Sequence, residues 1–130
     1  MRINRRVAGS VTLMRGDEQR VVDVFHKYLV AKGWAVSREV DFCDLVAERD
    51  AERLFVEAKG RTAAIGTDVD TMYGQILRRM PLAADARTSF AVVVPTQAKS
   101  AALRVPARVR SVLRVEVFVI DDDGAVTGPH

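Results

Sequence analysis

The sequence has a single cysteine, Cys43, among 130 residues. One thiol cannot close an internal disulfide or assemble a cysteine-based zinc cluster, so a disulfide scaffold is excluded and a reducing, intracellular setting is the natural inference. No apolar run approaches the roughly 20 residues that cross a bilayer. No apolar h-region follows the basic N-terminus, so the sequence reads as cytoplasmic, with no membrane partner. Internal repeats and low-complexity linkers are also missing. Residues 1–130 are therefore expected to form one domain able to bury a core of its own, with 1–15 as a basic N-terminal arm and the core at about 17–122.

Acidic residues are missing from two segments. Arg2, Arg5, Arg6 and Arg15 precede the first acid, and Arg104, Arg108, Arg110 and Arg114 lie in a run that contains none. The overall balance of 20 Lys and Arg against 17 Asp and Glu, a net +3, says little about partners. The distribution says more: a basic arm and a basic segment suit a phosphate backbone, with a solvated surface as the competing reading.

What is present divides into clear elements. Residues 1–15 include "VAGSVTLM", which reads as a short strand or ordered arm. "GDEQRVVDVFHKYLVAKG" has Val21, Val22, Phe25, Tyr28 and Leu29 at helical spacing, with Asp17 and Glu18 at the positive N-terminal end and Gly33 at the stop. "WAVSREV" is a first strand. "DLVAE" and "RLFVEAK" flank a polar stretch at 49–52 and read as a hairpin. "DVDTMYGQILRRM" places Val69, Met72, Tyr73, Ile76, Leu77 and Met80 on one stripe, stopped by Pro81. "SFAVVVP" is a continuous apolar run, expected to be a buried central strand. "AKSAALRVPARVRSVL" is helical in pattern but broken at Pro106 into two short pieces. "VEVFVIDDDG" is a last strand running into an acidic turn. The order predicts an α/β fold, a mixed sheet with helices on its faces.

The hairpin carries the charges that need explaining. If 49–52 form its loop, Glu48 faces Arg53, Val46 faces Phe55 and Asp44 faces Glu57. Opposed residues have Cβ atoms about 4.5–5.5 Å apart on one face, and like charges so placed destabilise a sheet. Lys59 joins that face by period-two alternation. A divalent cation would relieve the repulsion, and carboxylate oxygens are the ligands Mg²⁺ prefers. On the first helix Val22, Phe25 and Leu29 fall within about 40° of Glu18, which places Glu18 on the buried stripe, at the first turn of the helix. On the second helix Gln75 and Arg79, one turn apart beside Met72, are within reach of a phosphate.

The order Glu18, Asp44, Glu57-x-Lys59 resembles the PD-(D/E)xK nuclease superfamily, and "DLVAE…RLFVEAKG" is similar to the motif region of its small, Holliday-junction-resolvase-type and restriction-type members. Cys43 stands where the motif's name has Pro. The resemblance implies a restriction-endonuclease-like fold of core order αβββαβ, here with an extra C-terminal helix and strand. It implies a Mg²⁺-dependent (or Mn²⁺-dependent) nuclease acting on DNA, with RNA as the alternative, in repair, recombination or defence. Glu18, Asp44, Glu57 and Lys59 would be catalytic. Asp44, Glu57, the Ala58 carbonyl and Glu18 would hold the metal, which would acidify the attacking water. Lys59 would orient that water, or help to deprotonate it. Gln75, Arg79 and Arg61 would meet the nucleic acid. A homodimer is implied too, and a partner chain supplying specificity is a further possibility, because no segment here would fix a target sequence.

The competing readings are bland. Glu57 and Lys59 could be the exposed edge of a strand, and the chain a catalytically silent nucleic-acid-binding or protein-interaction module on the same fold. Asp41 could replace Asp44, but it falls outside the hairpin register. Glu39 and Glu48 read as surface charges, Tyr73 as core, His26 as surface or core edge, Cys43 as a small buried hydrophobe, and "DDDG" as a turn.

Overall fold

Among the described residues the elements run α1 (Gly9–Ala31), β1 (Ala35–Val40), β2 (Cys43–Arg49), β3 (Glu52–Ala58), α2 (Ile65–Arg79), β4 (Thr88–Pro95), a 3-10 turn (Thr96–Ala98), α3 (Lys99–Ala102), α4 (Ala107–Leu113), β5 (Val115–Ile120) and β6 (Val126–Thr127). The computed structural model describes residues 9–40, 43–80 and 86–130, with side chains from residue 17 onward. Pro81, Asp41 and the arginines at 2, 5 and 6 lie outside the described residues. The six strands form one sheet in chain order, β1 to β6. The pairs β1–β2, β2–β3 and β5–β6 are antiparallel, and β3–β4 and β4–β5 are parallel. This is the expected mixed sheet flanked by helices.

Alternation along the central strands divides the interior into two cores. Leu45, Ala47, Leu54, Val56, Ala91 and Val93 pack with Val21, Val22, Phe25 and Leu29 of α1. Their neighbours Val46, Phe55, Phe90, Val92 and Val94 pack on the other face with Val69, Met72, Tyr73 and Ile76 of α2 and Ala101 and Ala102 of α3. Both parallel crossovers, β3–α2–β4 and β4–α3–α4–β5, thus run over one face, as two successive steps of one hand across a sheet require. The Tyr73 hydroxyl donates to the Ala102 carbonyl at 2.6 Å, so this tyrosine is core, with its polar end satisfied.

Several expectations need correction. The first helix begins at Gly9, not near residue 16, so residues 9–15 are helix rather than strand or arm. Gly16 reads as a boundary but is interior, tolerated at a cost of about 1 kcal/mol relative to Ala. Glu18 therefore lies well inside α1, not in its first turn, and no acid sits at the helix's start. The stop is as expected: Gly33 has φ 91°, and the Gly33 and Trp34 N–H groups donate to Val30 and Leu29, the two bonds of a Schellman end. The hairpin loop is two residues, not four. Arg49 pairs with Glu52, and Asp50 and Ala51 both have positive φ, as a type I′ turn demands. Leu77 lies off the α2 stripe and is exposed. The strand β6, which nothing in the sequence pattern announced, returns beside β5 after an acidic turn held by Asp121, whose Oδ1 accepts from the Asp123 and Ala125 N–H groups at 2.9 Å. Among the described residues no helix is long and apolar enough to cross a membrane.

Candidate active site

Asp44 is the second residue of β2 and Glu57 the last but one of β3. The observed pairs Val46–Phe55 and Leu45–Val56 fix the register, and one further step puts Asp44 opposite Glu57. By alternation both belong with Val46 and Phe55 on the α2 face. The same end of the sheet collects the carboxyl ends of the parallel strands β3, β4 and β5, the region where open α/β sheets hold their ligands.

Each carboxylate is placed by backbone contacts and by its neighbours. Asp44 Oδ2 accepts from the Ala58 N–H at 2.8 Å, a bond across the hairpin beyond the last ladder pair. The Lys59 N–H donates to the Val93 carbonyl at 3.0 Å, which carries the β3–β4 pairing one residue past the strand and anchors the lysine backbone. Glu57 is 5% exposed, and its Oε2 is buried with no hydrogen-bond partner. That arrangement is costly: an unsatisfied buried polar atom costs about 1–3 kcal/mol, more if charged.

The electrostatics follow from the packing. Burial pushes the Glu57 carboxyl up to about 7, with Asp44 and Glu18 pushing the same way and Arg79 and Lys59 pulling against them. Burial also raises the Asp44 carboxyl; the Ala58 N–H and the Lys59 charge oppose it, and the Glu39 charge adds to it. Two opposed carboxyl groups that burial raises, one of them with a bare oxygen, form a donor set that a hard cation fits.

Not every expected residue stands in the same relation to the pair. Lys59 is half-buried, and its charge acts on both carboxylates. Arg79, the last residue of α2, acts on Glu57. Glu18 is half-buried and acts on Glu57, but it arrives from α1 on the opposite face, where Val22, Phe25 and Leu29 confirm the stripe. Gln75 is half-buried one turn before Arg79, and among the described residues it makes no hydrogen bond to the carboxylates. Arg61 is exposed; its main-chain N–H, not its guanidinium, is engaged, on Asp17 Oδ2. Among the described residues no three or more His, Cys, Asp or Glu side chains are grouped to hold a metal, so the side-chain oxygens on offer are those of the Asp44–Glu57 pair.

Sequence reasoning missed three features. Thr62, in the loop after β3, has a buried Oγ1 without a partner. Gly60 is buried against the backbone of α1. And Arg110, counted with the phosphate-facing arginines, is 7% exposed: its Nε donates to the Val105 carbonyl at 3.0 Å and its Nη1 to the His130 carbonyl at 2.8 Å. It is a structural tie. Arg114 also turns partly inward, donating to the Thr88 carbonyl at 3.3 Å, so of that run only Arg104 and Arg108 keep exposed side chains without a hydrogen bond or ion pair among the described residues. His26 accepts from Arg38 Nε at 2.9 Å in a surface network with Asp23, as suits its reading as a surface residue.

No family model matches the chain, and no curated protein matches it. Two solved structures share its fold. One is an fdxN element excision controlling factor protein from Anabaena variabilis, 21% identical, covering 85% of this chain and 97% of its own, with a TM-score of 0.57. The other is an XisH family protein from Nostoc punctiforme, 20% identical, covering 84% of this chain and 97% of its own, with a TM-score of 0.52.

Proposed function

We propose that the chain is a Mg²⁺- or Mn²⁺-dependent nuclease of the PD-(D/E)xK type that hydrolyses phosphodiester bonds in DNA, in a cytoplasmic setting of repair, recombination or defence. The observation that carries the reading is the buried, unpartnered Oε2 of Glu57 beside Asp44. An oxygen left bare with a second carboxylate pressing on it is costly as structure alone. A fold shared with a protein described as an excision controlling factor is consistent with work on DNA, though at that level of identity it speaks to fold alone.

Asp44, Glu57 and the Ala58 carbonyl would hold the cation, with Glu18 directly or through water. When bound, the cation supplies Lewis acidity, acidifying the attacking water and offsetting the charge that builds on the phosphate. The protein's own part is orientation and charge. Asp44 is fixed by the Ala58 N–H, so its second oxygen is directed rather than free to rotate. Lys59 is anchored through its backbone to Val93, and its charge acts on both carboxylates; its ammonium would orient the water and balance negative charge in the transition state. The water oxygen bonds to phosphorus, one P–O ester bond breaks, and the departing oxygen takes up a proton. Arg79 on α2 and the exposed Arg61, Arg104 and Arg108 would meet neighbouring phosphates.

The test is cleavage of plasmid, branched duplex, single-stranded DNA and RNA with Mg²⁺ or Mn²⁺, against Lys59→Ala and Asp44→Ala. Metal-dependent cleavage lost in both variants is the expected result. An inert wild type on all four substrates overturns the reading. A second reading, a catalytically silent nucleic-acid-binding module on the same fold, draws on the lack of a three-carboxylate cluster among the described residues. Salt-dependent DNA binding with no Mn²⁺ binding in calorimetry would select it.

A further inference from the structure

The loop that leaves β3 is organised by one close approach. At Gly60 an added Cβ would stand 2.7 Å from the Asp17 carbonyl carbon and 2.8 Å from Glu18 Cα, with Glu18 N also in contact. All three are backbone atoms of α1, which cannot swing aside as the tip of a side chain can. Gly60 does not have a positive φ. The left-handed backbone that favours glycine is therefore not the reason for it here; the space is.

The next residue fastens this approach. The Arg61 N–H donates to Asp17 Oδ2. Asp17 Oδ1 accepts from Arg20 Nε at 3.2 Å, and Arg20 Nη1 donates to the Asp121 carbonyl at 3.1 Å. Both oxygens of Asp17 are engaged, so it is not poised as a ligand. It ties α1 to the chain two residues after Lys59 and, through Arg20, to the end of β5. Glu18 is the adjacent residue, and α1 packs on the face opposite Asp44 and Glu57. Glu18 can join them only past the end of the sheet, where Gly60 crosses.

We infer that Gly60 and Asp17 form a clasp that sets where Glu18 stands relative to the Asp44–Glu57 pair, which makes both of them positioning residues; the inference rests on the reading of that pair as a metal-dependent hydrolytic centre. A bare loop of the sequence Lys59-Gly60-Arg61 would leave the relation between helix and hairpin to general packing. The clasp sets it by a backbone-to-backbone contact and a charge-assisted hydrogen bond.

Two readouts test it. In metal-free protein, Asp17→Ala should speed amide exchange at Arg61 about tenfold while β4 is unchanged, and should weaken the NOE between the Gly60 α protons and the Glu18 amide. In the presence of Mn²⁺, calorimetry should show about tenfold weaker binding for Asp17→Ala. Asp17→Asn, which keeps an acceptor for Arg61, should recover most of the affinity. In a Glu18→Gln background Asp17→Ala should cost nothing further, because it acts through Glu18. Gly60→Ala should follow Asp17→Ala with a larger loss of stability, and if it does not fold the Asp17 variants still decide. Unchanged exchange and NOE, or the same loss of Mn²⁺ affinity in the Glu18→Gln background, overturns the clasp. A wild type that binds no Mn²⁺ while the exchange and NOE respond overturns the metal-site reading and leaves the clasp standing as geometry.

Discussion

Arg110 and Glu57 are both charged and both buried, at 7% and 5% exposure, and they differ in what surrounds them. The arginine donates to two main-chain carbonyls, those of Val105 and His130, and so joins the chain just before α4 to the segment that follows β6. The glutamate has an oxygen with no partner and a second carboxylate beside it. A buried charge whose hydrogen bonds are complete is a structural tie. One left incomplete beside a like charge is destabilising unless a proton or a counter-ion reaches it. The difference matters because composition points the other way, marking the arginine run as the functional surface.

The sharpest way to break this comparison is through activity. Lys59→Ala and Asp44→Ala should each lower the rate of Mg²⁺-dependent cleavage by at least about 10²-fold, whereas Arg110→Ala should leave the rate per folded molecule unchanged; initial rates normalised to the folded fraction give the answer. The next effect is on stability, with opposite signs. Arg110→Ala removes the donor from two main-chain carbonyls and empties a buried side-chain site, and should cost about 1–3 kcal/mol in urea unfolding. Glu57→Gln should instead stabilise the metal-free protein at pH 8, by no more than about 3 kcal/mol, since it removes a buried charge.

The pH dependence sharpens the same point. Glu57 titrates at about 7 in the fold against an ordinary 4.5. Between those values the folded protein binds the extra proton, so stability of the metal-free protein should fall as pH rises from 4.5 to about 7 and then level off. The raised Asp44 carboxyl adds to the fall in the same direction. Saturating Mn²⁺ competes with those protons. It should reverse the loss at pH 8 by about 2.7 kcal/mol at a hundred times its dissociation constant, and do nothing in Asp44→Asn. Urea curves across pH, with EDTA or with Mn²⁺, measure both. The smallest effect belongs to the exposed arginines: Arg104→Ala and Arg108→Ala should each reduce the salt slope of DNA binding by about one, while Arg110→Ala should not change it.

Much of the site was legible because it is local. The apolar runs on either side of residues 49–52 fix the hairpin, and the register that pairs Val46 with Phe55 is the observed one, even though the loop is two residues rather than four. The Glu18 stripe was legible too, since Val22, Phe25 and Leu29 follow from 3.6-residue periodicity alone. The start of α1 was not, because Gly16 resembles a boundary and is tolerated inside a helix that the rest of the fold supports. The fate of Arg110 was equally hidden: its partner His130 lies 20 residues away, and no spacing rule connects them.

The sequence by itself determined the strand alternation, the hairpin register and the helical stripes, because each depends on side-chain periods along one stretch of chain. Tertiary structure alone decided that Glu57 is desolvated with a bare oxygen and that Arg110 is not a surface charge. It also brought Glu18 from the opposite face to within electrostatic reach of the pair. Desolvation and long-range hydrogen bonding depend on everything packed around a group, and a strand pattern carries no record of what will cover it.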